Sequence, residues 1–270
     1  MTARQSEIVQ TGFGQVEVHR WGPGGRPLVL LHAAATGPKA YAPLAERLAA
    51  AGWQCLAPAL HGYGNSQVPG AASAVDAHVA IAAWLAEVSG ARTLVGHSMG
   101  GLAALLAAPS VGLDRLVLFE PILFDALDAE ADAGLIAAEA EMAAAMRRHL
   151  AEGRDEDAIR VFVEVWNDTA WGDLPAPARA RLTAQAAGVV ADTRATGSVK
   201  IAPEVWQAAP PTTLIHGDRS PEIARRMVAG AVRHLAQAEV VSLTGIGHMA
   251  PLMQPETVAQ ALVQALGSGD

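Results

Sequence analysis

Leu94-Val95-Gly96-His97-Ser98-Met99-Gly100-Gly101 is the stretch on which the reading of this 270-residue chain turns. It is a G-x-S-x-G run entered from apolar residues and left through alanine-rich ones, and it marks Ser98 as a nucleophile. Where such a run joins a buried strand to a helix, the turn is so sharp that the serine sits strained at its apex. The glycines on either side leave room for it. The following helix points its first N–H groups toward the serine, so negative charge developing beside it meets a partly positive end. The flanks agree: Arg92-Thr93-Leu94-Val95 reads as a short strand, and residues 102–108 have helix-forming composition ended by Pro109.

Working outward, Val16-Glu17-Val18-His19-Arg20-Trp21 alternates apolar and polar residues as a half-exposed edge strand does. Pro27-Leu28-Val29-Leu30-Leu31 is continuously apolar, like a central strand covered on both faces. So are Cys55-Leu56-Ala57, Thr93-Leu94-Val95, Leu116-Val117-Leu118-Phe119 and Thr213-Leu214-Ile215. Helical stretches lie between and after them at 41–51, 75–88, 102–108, 221–235 and 255–266, with Ser73 a cap for the second. This alternation specifies the α/β class, a mostly parallel sheet with helices on both faces. It is broken once. From about 123 to 201 helix follows helix with no convincing strand, which reads as an insertion lying as a lid over the strand ends. The expected organisation is a core of 1–122 and 202–270 with a helical cap of 123–201. Phe124, Met142, Met146, Trp166 and Trp171, with Phe162, are the candidate pocket residues from the cap, packing of the lid onto the body being the plain alternative for each of them, and His32 is a candidate from the core.

Bulk properties exclude several classes of function. With 51% hydrophobic and 17% charged residues the chain belongs to a compact globular protein, long enough for one domain with an insertion. The net charge is −8, the only lysines are Lys39 and Lys200, and no basic cluster exceeds pairs such as Arg147-Arg148, so no nucleic-acid partner is expected. Cys55 is the only cysteine; an intrachain disulfide and a thiolate metal cluster are both ruled out. Residues 1–10 are polar without an apolar targeting segment, and no run reaches spanning length, so a soluble cytoplasmic protein with no membrane partner is expected. The oligomeric state is unknown from the sequence.

A serine hydroxyl needs a base. Of nine histidines, His248 stands out, because Val240-Val241-Ser242-Leu243 reads as a final strand and Gly245-Ile246-Gly247 as a flexible turn. A histidine on that loop can swing over the strand ends where Ser98 sits. His78, His149 and His234 fit helices, and His61 lies in the turn His61-Gly62-Tyr63-Gly64. An acyl-transfer oxyanion needs two N–H donors. One is expected from Met99, directly after the nucleophile, and the other from Ala34 or Ala33 in the loop His32-Ala33-Ala34-Ala35-Thr36-Gly37, which His32 would brace. No H-E-x-x-H, phosphate loop or post-strand G-x-G-x-x-G occurs, so no metal and no cofactor is called for.

Four segments together resemble the α/β-hydrolase superfamily over nearly the whole chain: Leu30-Leu31-His32-Ala33-Ala34-Ala35, His61-Gly62-Tyr63-Gly64-Asn65-Ser66, Gly96-His97-Ser98-Met99-Gly100-Gly101 and Gly245-Ile246-Gly247-His248-Met249-Ala250-Pro251. The resemblance implies an eight-stranded, mostly parallel sheet flanked by helices, with an all-helical cap after the sixth strand. Two departures stand out. The family's usual His-Gly is His32-Ala33 here, and its common Gly-x-x-Asp after the seventh strand is Gly217-Asp218-Arg219-Ser220, with serine where the acid is expected. Asp218, shifted by two residues, is the alternative acid. Glu120, closing the sixth strand where some members such as a group of haloalkane dehalogenases carry theirs, is the favoured one, since an ionisable residue ending a buried strand needs a partner and His248 would supply it. A salt bridge to a cap arginine is the plain structural alternative for Glu120. Ser98 also separates the chain from relatives with an aspartate nucleophile. The expected function is a serine hydrolase cleaving a small or medium apolar carboxylic ester through an acyl-enzyme. The alternatives are a ligand-binding or receptor-like protein, a cofactor-free lyase that would use Lys200, and a carbon–carbon bond hydrolase.

Overall fold

The apolar runs become the centre of a single sheet. The computed structural model describes residues 5–167 and 169–267, so the outermost ends of the expected core lie outside the described residues. Strands β1 (Gln5–Thr11), β2 (Gly14–Trp21), β3 (Arg26–Leu31), β4 (Trp53–Pro58), β5 (Thr93–His97), β6 (Arg115–Phe119), β7 (Thr212–Gly217) and β8 (Ala238–Leu243) form eight neighbours in the order β1-β2-β4-β3-β5-β6-β7-β8. β1 pairs antiparallel with β2 and β2 with β4, and the remaining pairs are parallel. Val95 lies between Leu30 and Val117 in register, and all three are buried. That is the geometry a continuous apolar run predicts, because parallel strands are covered on both faces.

Helices α1 (Ala42–Ala50), α2 (Ala74–Ser89) and α3 (Met99–Ala107) connect the early strands. α2 starts as the sequence suggests, with Ser73 Oγ accepting from the Asp76 N–H at 3.1 Å, and ends at Gly90, whose φ of 68° is the left-handed cap. α3 begins at Met99, three residues earlier than its composition alone predicts, because Ser98 itself turns the chain into the helix. Two apolar layers result. On one face Leu44 and Leu48 of α1 pack with Trp21, Trp53, Cys55 and Phe119; on the other Ile81 and Leu102 pack with Leu31, Leu56 and Leu116. Cys55 sits wholly inside the first layer, and burial pushes its thiol up to about 12.

Between β6 and β7 the named elements are all helical: α4 (Ala133–Ala151), α5 (Asp155–Trp166), α6 (Ala176–Thr183), α7 (Ala186–Gly197) and α8 (Pro203–Ala208), with short 3-10 turns. Its apolar side, with Met142, Met146, Ile159 and Val189, continues the second core layer without a break. Asp125 clips the two ends of this segment together, accepting from Lys200 Nζ at 2.7 Å and from the Ile201 N–H at 3.0 Å. Asp132 binds Arg226 of α9 (Glu222–Ala231) at 2.6 Å. α10 (Ala250–Met253) and α11 (Pro255–Leu266) close the chain against α1. No helix among the described residues is long and apolar enough to cross a membrane.

One sequence expectation is corrected at the sheet edge. β2 is not an edge strand, because the polar segment Gln5–Thr11 pairs along its whole length as β1. The alternation in β2 misleads because its polar members are buried in partnership: His19 is fully buried, with Nε2 2.7 Å from Glu17 Oε1.

Candidate active site

Ser98 ends β5 and caps α3 with φ 56° and ψ −120°, a conformation costly for any side chain. The surrounding sequence makes the turn feasible. A Cβ at Gly96 would lie 2.6 Å from the Gly100 carbonyl oxygen, and one at Gly100 would lie 2.5 Å from that of Leu31, so neither position admits a larger residue without movement. The Ser98 N–H donates to the Phe119 carbonyl at 3.0 Å, and its carbonyl accepts from Gly101, Leu102 and Ile122. The backbone is thereby fixed from both neighbouring elements.

His248 lies in the loop after β8, 2% exposed, with Nδ1 2.7 Å from Glu120 Oε2. Glu120 follows β6, is fully buried and has a positive φ of 42°. Its second oxygen accepts from the Gly217 N–H at 2.8 Å and from the Ser220 hydroxyl. Ser220, at the position where the family's aspartate was expected, is therefore a donor to Glu120, a role the sequence reading missed. The carboxylate meets a histidine and no cap arginine. Asp218 points elsewhere: its Oδ1 accepts from the Gly245 N–H at 2.7 Å and its side chain belongs to the exposed loop. The His248 ring is packed between Trp166, 4.8 Å between centroids, and His97, 4.9 Å. Burial and the neighbouring His248 hold the His97 imidazole well below the usual histidine range, and its Nδ1 is 2.5 Å from Tyr41 Oη.

The loop after β3 is held by two tyrosines. The Ala33 N–H donates to Tyr41 Oη at 3.1 Å and the Ala35 N–H to Tyr63 Oη at 3.0 Å. Between them, the Ala34 N–H has no acceptor among the described residues. Ala35 carries the strain of this arrangement with φ 60°. Met99 opens α3, so its N–H has no carbonyl one turn back. His32 braces the loop: Nδ1–H donates to the Ala33 carbonyl at 2.8 Å and Nε2 accepts from the Leu60 N–H at 3.0 Å. Complete burial lowers its pKa to about 4, so it stays neutral. Tyr63 in turn donates to Asp192 Oδ2 of α7 at 2.7 Å, and His78 of α2 lies 3.0 Å from Asp192 Oδ1. His78, which reads as an ordinary helical residue, is fully buried in this link.

The space around Ser98 is small. On one side Ser98 shares a space of about 30 Å³ with His248, Ala34 and Trp166, which adjoins an open cleft of about 850 Å³ through Thr36, Leu182 and Met249. On the other, about 20 Å³ is enclosed by Met99, Phe124, Glu139, Phe162 and Trp166. Of the expected pocket residues, Phe124 and Trp166 reach these walls. Met142 and Met146 are buried in the core layer, and Trp171 donates from Nε1 to Glu156 at 3.0 Å, packing the segment internally. His32 lies beneath the loop. None of these four lines the two spaces beside Ser98. Glu139 is the wall residue that sequence reasoning overlooked; its spacing of three and seven from Met142 and Met146 places it on the apolar stripe of α4 and is the signal that marks it.

A strained serine at a strand–helix turn, in an eight-stranded sheet with this order and an all-helical segment after β6, defines the class. The chain belongs to the alpha/beta hydrolase family, whose sequence profile matches residues 28–261. Its structure is similar to an alpha/beta hydrolase from Sphaerobacter thermophilus at 25% identity and TM-score 0.76, covering 96% of this chain and 99% of that one. It is also similar to a bromoperoxidase from Bacillus anthracis, at 18% identity and TM-score 0.76 over 97% and 99% of the two chains. An esterase from Exiguobacterium antarcticum is alike in fold at 17% identity and TM-score 0.76, over 96% and 98%. No curated protein matches the chain in sequence.

Proposed function

We propose that the protein is a serine hydrolase that cleaves small or medium carboxylic esters through an acyl-enzyme. The observation that carries this reading is the strained Ser98 walled into one space with a histidine whose far ring nitrogen is held 2.7 Å from a buried carboxylate. In this reading Ser98 Oγ attacks the ester carbonyl while His248 Nε2 takes its proton. Glu120 fixes the tautomer and orientation of the ring and stabilises the imidazolium. The Met99 and Ala34 N–H groups receive the oxyanion, a term worth about 10²–10³ in rate for each donor. His248 then protonates the departing alcohol, and water attacks the acyl-enzyme by the same route. Residues 123–201 act as the lid that sets which esters reach Ser98. The lyase reading is weakened by Lys200, which is spent on Asp125 at the base of the helical segment.

The test is turnover of a chromogenic short-chain ester series, with intact mass measured during turnover. Ser98→Ala is expected to abolish both turnover and the acyl adduct, and Glu120→Gln to reduce kcat by about 10⁴, with Asp218→Asn close to the parent. No turnover and no adduct with any ester would overturn the reading in favour of a ligand-binding protein. Loss in Asp218→Asn with Glu120→Gln unaffected would move the acid role to Asp218.

A further inference from the structure

The inner space beside Ser98 is apolar apart from its acidic side chains and the threonines of α7. Asp192 is spent there, since its two oxygens are taken by Tyr63 and His78. Glu139 is not. Among the described residues it makes no ion pair and accepts no hydrogen bond, although it stands on the same wall as Phe124, Phe162 and Trp166. Its side chain also reaches an outer cleft bearing Arg147 and Arg194, but neither of these exposed guanidinium groups pairs with it. Burial alone moves its carboxyl, up to about 7. A half-buried carboxyl that has no protein partner and faces the space beside Ser98 offers acceptor oxygens and negative charge that a bound ligand can use.

The size and surroundings of the space narrow the ligand. Nearby aromatic rings favour a cation over an anion. The free volume of about 20 Å³ holds one group the size of a water molecule. A primary ammonium has that size and three donors to offer, whereas a trimethylammonium is far larger. We propose that Glu139 recognises a primary ammonium group on the substrate, so that the ester has an apolar body and an aminoalkyl arm ending at this carboxylate. This rests on Ser98 as the reaction centre and makes Glu139 a specificity-determining residue for it.

The experiment measures binding of a series of n-alkylammonium ions, the primary alcohols of equal length and the matching trimethylammonium ions, by calorimetry and by competition with ester turnover. The ammonium ions are expected to bind the wild-type protein at least about tenfold more tightly than the alcohols, a difference of about 1.4 kcal/mol. The trimethylammonium ions are expected to show no such gain. Glu139→Gln, matched in shape, is expected to bring ammonium and alcohol to equal affinity, with the alcohol serving as the internal reference for an intact site. An absent preference in the wild type, or one retained in Glu139→Gln, overturns the proposal. The wild-type comparison decides by itself if the variant does not fold. A Glu139-dependent preference with no turnover of any ester would leave the ammonium site standing and remove the hydrolase reading; ester turnover without the preference would do the reverse.

Discussion

Ser220 shows how a residue that reads as a loss in the sequence becomes a contribution in the structure. Its hydroxyl donates to Glu120, so the loop after β7 still serves the carboxylate although it no longer supplies one. Ser220→Ala removes one donor to a buried acceptor, which costs about 1–3 kcal/mol. In the proposed mechanism that penalty falls on the orientation of His248, so kcat is expected to drop about tenfold with KM little changed. Steady-state kinetics on the chromogenic esters would check it, and an unchanged kcat would mean that the Gly217 N–H holds Glu120 unaided. Strain gathers at the same place: the non-glycine residues with positive φ among those described are Ala35, Ser98 and Glu120, all at the strand ends around this site. Ser98, His248 and Glu120 were legible as candidates because each closes or follows a strand beside residues that punctuate the chain. Glu139, Asp192 and His78 were not, since their meaning depends on partners or walls brought from afar; His78 and Asp192 are 114 residues apart.

At the level of elements, the helical segment and the loop carrying Ala34 form one hydrogen-bonded unit. Asp192 of α7 accepts from Tyr63, which accepts from Ala35, so the position of α7 is transmitted to the backbone next to the proposed oxyanion donor. Tyr63→Phe would orphan both the Ala35 N–H and an oxygen of Asp192. The loss is expected to be about 2 kcal/mol, or roughly 5 °C in melting temperature. Turnover per acylated site should fall as well, because Ala34 loses the anchor beside it. Melting curves together with active-site titration separate the two effects, and a variant with wild-type stability and kcat would show that the link is idle. The central strands were readable here from their continuous apolar runs, and α2 from its cap. β1 was not, because five of its seven residues are polar and its stability comes from a full ladder with β2.

For the whole molecule, two fully buried imidazoles couple folding to pH. His32 is held at about 4 and His97 well below the ordinary histidine value, in both cases chiefly by burial. The unfolded chain protonates both near pH 6.5, so between that pH and the folded values it binds more protons than the native state. Stability is therefore full above about pH 6.5 and falls as the pH drops toward 4, with His32 alone accounting for about 3 kcal/mol. Urea midpoints measured from neutral pH down to pH ~4.5 are expected to decline steadily, and a flat profile across that window would contradict the burial of these rings as neutral groups. The alternation that announced an α/β protein was visible in the sequence because parallel strands leave little room for polar residues. The spacing of the two layers then puts the chain's single thiol beyond reach: Cys55 lies inside one of them with its pKa at about 12. While folded, the molecule offers electrophiles and mixed-disulfide partners no thiolate to attack, so the thiol–disulfide poise of its surroundings has no handle on it.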